Sequence, residues 1–330
     1  MSCCGETGSC GRVDLDEAIA RRLCDLTSEF YRANAESFSQ TRQSPWQGWE
    51  RALAAAGVAV ADADNTASQS PVGASAISKE AADLSPQSPV GANESSRATA
   101  GLLRVLDLAC GNLRFEWFLA DRLGVDRVRC FAVDNCDPLV DQAACVDRPD
   151  RAESADRPVW SGRGQTPGVL PSISFQNLDV IDALATGSLR DTLAVPDASC
   201  DLGVAFGFMH HVPQEIWRAD LLRLLVAKTR PGGHVVVSFW CFLNSEKLAK
   251  KAFAATEQAC VELGLPALPP NDFLLGWQDT RGLYRYCHHF DEPEIERLLA
   301  AVADVARPVS RFAADGKTGN LNEYVILRVR

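Results

Sequence analysis

Leu15, Ile19, Leu23 and Leu26 recur at spacings of three and four, so residues 14–56 read as helical with one apolar face. The pattern then stops. Residues 57–100 are rich in Ala, Ser, Asp and Pro, hold no aromatic residue, and repeat the string Gln-Ser-Pro-Val-Gly-Ala at 69–74 and 87–92. Such a stretch has too little apolar surface to offset the entropy of ordering itself, and it reads as a disordered linker. From Gly101 the pattern alternates between short apolar runs and amphipathic stretches. It predicts strands at 103–108, 127–133, 172–177, 200–207 and 234–240, with helices at 113–123, 138–146 and 214–228. Alternating strands and helices imply a parallel sheet with right-handed crossovers. A polar insert, 147–171, repeats Asp-Arg-Pro at 147–149 and 156–158 and reads as a surface excursion. Further helices are expected at Ser245–Leu263 and Pro293–Val302, and strands at Arg307–Phe312 and Glu323–Val329. Turn residues at Asp315-Gly316 and Thr318-Gly319-Asn320 make the last pair a hairpin. The expected fold is therefore a doubly wound α/β domain over 101–330, its mostly parallel sheet closed by a C-terminal antiparallel hairpin. A helical cap (14–56) and a short tail (1–13) precede it.

Composition narrows the function. The chain has 330 residues, 46% hydrophobic, with a formal net charge of −10. That balance argues against a broad nucleic-acid surface, though not against a local basic patch. No apolar run approaches the ~20 residues that cross a bilayer, and Met1–Arg12 lacks the apolar core of a signal peptide; a cytoplasmic protein is expected. Of twelve cysteines, Cys24, Cys110, Cys130, Cys145, Cys200, Cys241 and Cys260 sit inside apolar or helical patterns and read as small buried hydrophobes. Cys3, Cys4 and Cys10 lie in a Gly/Ser-rich tail without the partners of a zinc site. No complete metal site is read anywhere in the chain.

Candidate chemistry gathers where strands end, because open α/β sheets bind ligands at the carboxyl ends of their strands. The first predicted strand runs into Val-Leu-Asp-Leu-Ala-Cys-Gly-Asn-Leu at 105–113, a turn whose Gly111 lets a ligand approach backbone. It matches the dinucleotide pattern G-x-G-x-x-G poorly. The second strand ends in Asp134, 27 positions after Asp107, and the third ends near Asp179. Each carboxylate can equally be a turn former or a helix cap.

The 105–113 string resembles the Asp-x-Gly-x-Gly-x-Gly motif of class I S-adenosylmethionine-dependent methyltransferases, with Ala109 and Leu113 in place of two glycines. Arg230-Pro231-Gly232-Gly233 resembles that family's turn before its fifth strand. The resemblance implies S-adenosyl-L-methionine as cofactor. It implies ribose hydroxyls at Asp134, the adenine amino group at Asp179, and the methionine part at Asn112 or the turn amides. Tyr31, Asp107, Ala109, Gly111 and Phe206 complete the implied cofactor site.

Residues 30–46, from Phe30-Tyr31 through Phe38-Ser39-Gln40-Thr41-Arg42 to Pro45-Trp46, resemble the N-terminal segment of the tRNA wobble-uridine carboxymethyl methyltransferases, which also carry a His-His pair like His210-His211. The resemblance covers roughly 30–56, 101–146 and 172–242. It implies methyl esterification of a carboxylate on tRNA. A carboxylate is already ionised at neutral pH and needs no general base; catalysis then rests on positioning. Arg42 is the expected cation for orienting it, helped by His210 or His211. Eukaryotic members work with a small zinc-binding activator, for which this sequence holds no marker. Trp46 and Trp240 stack on a base or fill the core. Tyr284–Phe290 forms either a second wall of the acceptor pocket or a half-buried strand. Two other functions remain open: methylation of a small metabolite, and an inactive adenosyl-ligand-binding protein.

Overall fold

The computed structural model describes residues 15–58, 101–141, 172–278 and 280–330. The tail 1–13, nearly all of the 57–100 linker and the 147–171 insert lie outside the described residues. In chain order the elements are α1 (Glu17–Gln40), α2 (Gln47–Ala55), β1 (Leu103–Leu108), α3 (Arg114–Leu123), β2 (Val128–Asp134), α4 (Asp137–Asp141), β3 (Ser172–Asn177), α5 (Val180–Ala185), α6 (Leu189–Thr192) and β4 (Cys200–Ala205). They continue with α7 (Glu215–Lys228), β5 (Thr229–Trp240), α8 (Glu246–Leu263), β6 (Asp272–Leu275), β7 (Arg285–His288), α9 (Glu292–Ala301), β8 (Ala306–Ala314) and β9 (Asn322–Val329).

Seven strands form one sheet in the order β3-β2-β1-β4-β5-β9-β8. The first five are parallel; β9 runs antiparallel to β5 and to β8. Alternation along the strands sends side chains to two cores. Leu106, Leu108, Val235 and Val237 meet α7 and α9 on one face. Val105, Cys130, Val204 and Val236 meet α2 and α3 on the other. Helices on both faces of a sheet whose order reverses at β1/β4 make this a doubly wound, Rossmann-like α/β fold.

Two sequence expectations change. Residues 14–56 are two helices, not one: α1 ends at Gln40, and α2 begins only after Pro45, whose ring disfavours helical backbone in the residue before it. The strand expected from 234 already begins at Thr229. Arg230–Gly233 forms a bulge within β5, between the Cys200↔Thr229 and Leu202↔His234 pairs, rather than a turn before the strand. Of the expected 138–146 helix, residues 138–141 fall in α4, and 142–146 lie outside the described residues. A two-stranded sheet, β6 with β7, was not anticipated.

That small sheet matters because α1 rests on it. Asp16 caps α1 by accepting from the amides of Ala18 and Ile19. The buried positions Ala20, Leu23, Thr27, Phe30 and Asn34 then form one stripe. Leu23 packs with Leu274, Tyr284 and Tyr286. Thr27 Oγ1 donates to Leu23 O (2.8 Å) and accepts from the Tyr286 amide (3.0 Å). This hydroxyl joins α1 to β7 and suspends the helix over the carboxyl edge of the main sheet.

At that edge, the three glycine positions of the β1 turn all have left-handed backbone: φ is 62° at Ala109, 58° at Gly111 and 56° at Leu113. Left-handed geometry costs a non-glycine residue about 1–2 kcal/mol. Leu113 is fully buried, and its packing offsets the strain. Ala109 has little to offset it. Ala109→Gly is therefore expected to raise stability by roughly 0.5 kcal/mol, after the extra entropy of glycine in the unfolded chain. Leu113→Gly is expected to lower it by about 2–4 kcal/mol through the cavity it leaves. Thermal denaturation of the two variants checks this; shifts of the same sign would refute it.

Candidate functional site

A cleft of about 170 Å³ opens over the carboxyl ends of β1, β2 and β4, roofed by α1 and the α1–α2 junction. Of the candidates named from sequence, Tyr31, Arg42, Asp107, Ala109, Gly111, Asn112, Asp134, Asp179, Phe206 and His211 all line it. His210 does not, nor does Trp240.

The floor is the β1 turn. A Cβ added at Gly111 would meet nothing within 4 Å, so the turn faces open cleft. Asp134 holds the turn in place: its Oδ2 accepts from the Gly111 amide (2.9 Å) and its Oδ1 from the Cys136 amide (2.8 Å). A carboxylate has about four acceptor positions, so Asp134 keeps capacity for donors from the cleft. Asp179 is more fully engaged. It is the N-cap of α5, with Oδ1 accepting from Ile181 and Asp182, while Oδ2 accepts from Asn135 Nδ2 (2.6 Å). The capping alternative left open by the sequence is thus its observed role, although it also faces the cleft. Asn112 donates to Ser39 Oγ and Arg42 O, both at 3.1 Å, and so ties the end of α1 to the turn.

Asp107 points from β1 toward α3 and meets Glu116 there. Both are buried, the two carboxyls face each other, and among the described residues no other side chain reaches Asp107 Oδ1 or the Glu116 oxygens. Desolvation, with the neighbouring carboxyl, holds Asp107 well above the usual carboxylate range; burial pushes Glu116 up to about 7. A carboxyl raised in the folded state binds its proton more tightly there than in the unfolded chain. Its stabilisation is full below about pH 4 and is lost as pH rises toward 7. Glu116→Gln, which needs no proton to face Asp107, is expected to flatten this decline and to raise the melting temperature at pH 8. Melting curves of both proteins between pH 4 and 8 test it; parallel profiles would sink the idea.

The rest of the cleft lining is largely aromatic, with Arg42 among it. Phe206 packs against Phe115 (ring centroids 4.7 Å apart), Trp49 (5.6 Å) and Trp46 (6.4 Å). Trp46 touches Gly207 so closely that a Cβ there would fall 2.9 Å from its ring. Trp240 lies outside this lining, half-buried, and packs on Phe242 and His210. Arg42 lies over Phe38, 3.6 Å from the ring centroid, and donates to Thr41 Oγ1. Tyr31 OH and His211 Nε2 are 2.9 Å apart, and His211 Nδ1 is 2.7 Å from the Tyr286 carbonyl. Since a carbonyl only accepts, Nδ1 carries the proton and Nε2 accepts from Tyr31. Burial, reinforced by Arg285, pushes His211 down to about 3, and burial pushes the Tyr31 phenol up. Both are neutral near pH 7.

His210 lies behind His211, rings 4.1 Å apart, with Nδ1 unpartnered. Cys287 joins them: donor atoms of His210, His211 and Cys287 lie within 4.8 Å of one another. The sequence set Cys287 beside His288 and His289, too close together for a metal site, and gave no sign of this grouping. Its only signal was the shared density of His and Cys at two distant strand ends. Arg285, beside Cys287, places a fixed positive charge against any dication there. Trp277, also missed, packs on the cleft-lining Phe38, its Nε1 donating to Ser37 Oγ (3.2 Å).

No helix among the described residues is long and apolar enough to cross a membrane. No protein-family model matches the chain, and no curated protein does. Solved structures do resemble it. A methyltransferase described as SAM-dependent from Methanosarcina mazei is 19% identical over 69% of this chain and 92% of its own, with a TM-score of 0.44. The Burkholderia thailandensis 1,6-didemethyltoxoflavin-N1-methyltransferase, solved with 1,6-didemethyltoxoflavin and S-adenosylhomocysteine, is 13% identical over 97% and 93%, with a TM-score of 0.48. An N-methyltransferase from Bradyrhizobium japonicum with bound S-adenosylhomocysteine is 14% identical over 69% and 79%, with a TM-score of 0.36. These are likenesses at low identity; the cleft of this chain stands on its own residues, at the edge where a doubly wound sheet takes its ligand.

Proposed function

We propose that the chain is an S-adenosyl-L-methionine-dependent methyltransferase whose acceptor is a carboxylate. The observation that carries the reading is the joint lining of one cleft. A left-handed turn exposes Gly111 beside Asp134. Arg42, tied to that turn through Asn112, lines the same cleft beside Tyr31 and His211, both held neutral. Asp134 would accept from the ribose hydroxyls, and the Ala109–Asn112 backbone would lie along the methionine part. Asp179 and Asn135 would border the adenine. When bound, the cofactor supplies an electrophilic methyl group. This chain's residues would position the acceptor and exclude water. Neither His211, held neutral near pH 3 and above, nor the protonated Tyr31 is a base suited to neutral pH. An acceptor already ionised needs none.

Two sources supply a carboxylate: a modified uridine of tRNA, or a small metabolite. The Phe30–Trp46 string favours tRNA, since Tyr31, Phe38, Arg42 and Trp46 all reach the cleft. The net charge of −10 favours the metabolite. Incubation with labelled cofactor and bulk tRNA, followed by mass spectrometry of nucleosides, separates them. Label in a nucleoside ester supports tRNA. Label only in a small-molecule extract removes it. No transfer in a single turnover with either leaves a ligand-binding protein without activity.

Arg42 is the expected orienting cation. Arg42→Lys and Arg42→Ala should each lower turnover roughly 100-fold, comparable to losing one oxyanion donor, because a point charge does not reproduce two parallel hydrogen bonds. Cofactor affinity should change far less. Normal turnover in Arg42→Ala would make the residue structural; collapsed cofactor binding would assign it to the methionine carboxylate.

A further inference from the structure

Arg285, at the start of β7, is only 6% exposed, and its Nε and Nη1 have no hydrogen-bond partner. Among the described residues it makes no ion pair. Its guanidinium is packed among rings: 4.9 Å from the Phe30 centroid, 5.6 Å from Phe38, 5.8 Å from Trp277 and 5.9 Å from Tyr31. The molecule shows elsewhere how it satisfies a buried structural arginine. Arg218, 1% exposed, pairs with Glu294 and donates to the carbonyls of Val212 and Pro213. Arg285 has no such set. Its polar partners are the Tyr31 hydroxyl and the Cys287 thiol, and burial keeps protons on both, so neither supplies an opposite charge.

A second guanidinium faces the same rings. Arg42 lies 3.6 Å from Phe38 and 4.9 Å from Trp277, so Phe38 and Trp277 are shared between two positive charges. Arg42 pairs with no carboxylate among the described residues either. In a chain of net charge −10, two guanidiniums that pair with no carboxylate among the described residues come together here: Arg42 lines the cleft, and Arg285 lies behind the Tyr31 and Phe38 rings that line it. A buried charge without a counter-charge is costly, and a ligand of opposite sign would offset that cost.

We infer that Arg285 is the charge that selects the acceptor: it makes this part of the cleft an anion site for an aromatic or similarly flat carboxylate, with Arg42 at the mouth and Arg285 beneath the Tyr31–Phe38 wall. The inference rests on the methyl-transfer reading only for the word acceptor. Arg285 acts through the wall as a positioning residue. The rival occupant is a metal ion at His210, His211 and Cys287.

The test is anion binding, not turnover, on the full chain. Benzoate, benzamide, chloride and zinc are titrated at matched ionic strength while melting temperature is followed. Benzoate should raise it saturably, with at least roughly tenfold preference over the uncharged benzamide, the scale of one charged contact. Arg285→Met should weaken benzoate at least tenfold and, without ligand, melt no lower than the parent. Arg285→Lys should keep most of the preference for benzoate. Equal binding of benzoate and benzamide overturns the inference, and needs no variant to fold. Unchanged benzoate affinity in Arg285→Met also overturns it. Zinc stabilisation abolished by Cys287→Ala gives the site to a metal instead. Calorimetry with S-adenosylhomocysteine runs alongside: loss of that ligand with benzoate selectivity intact refutes the methyl-transfer reading and leaves the anion site.

Discussion

Replacing Glu294 with alanine is expected to cost the fold about 3–5 kcal/mol, the penalty of leaving a buried charge without its partner. Glu294 is wholly buried and pairs with Arg218, while its Oε2 lies 2.7 Å from His288 Nε2. His288 Nδ1 continues the chain to Asp272 (2.5 Å), which also accepts from Tyr286 OH (2.6 Å). Alanine leaves the Arg218 guanidinium with the Val212 and Pro213 carbonyls and the Tyr286 hydroxyl, none of them a counter-charge. For a domain of this size the melting temperature should fall by roughly 6–20 °C. Urea denaturation gives the free energy directly; a loss below about 1 kcal/mol would mean that water or another carboxylate takes the vacated place. The network joins α7, α9, β6 and β7, so its failure also frees the strand that carries Arg285.

Asp134→Ala should weaken S-adenosylhomocysteine binding by about 10–100-fold, the worth of a charged acceptor for buried hydroxyls. Part of the loss will come from the site's own architecture. Without the carboxylate, the Gly111 and Cys136 amides lose their acceptor, and the turn that faces the ligand loosens. Calorimetry of the folded variant decides the matter. Unchanged affinity would remove Asp134 from the ribose, whatever its effect on stability.

Much of the frame was legible because apolar period is a local property. β1 and β3 have the bounds their apolar runs indicate, and the Asp315–Asn320 turn residues do join β8 to β9. The strand-end rule then brought Asp107, Asp134 and Asp179 to one cleft. What was illegible is what depends on distant partners. β7 is buried at all four positions, so it has no alternation to read. Arg285 in such a string looks like a solvent-facing residue; only the fold brings Phe30 and Phe38 against it. Asp179 reads the same from sequence whether it caps a helix or binds a ligand, since both uses want a carboxylate after a strand. Asp107 gave no hint of Glu116, because a helical glutamate is ordinarily exposed, and here the helix turns it onto the sheet.

The left-handed turn has a further consequence, in the thermodynamics of binding rather than in shape. A loop built from three glycines wanders between both signs of φ until a ligand fixes it, and that ordering is charged against affinity. Here Ala109 is stiffer than glycine, and Leu113 is locked by the core. The loop is ordered when the chain folds, before any ligand arrives. Its ligand should therefore bind with a smaller entropic penalty than a triple-glycine turn would impose, while any softening of the core around Leu113 will be felt at once in the cleft.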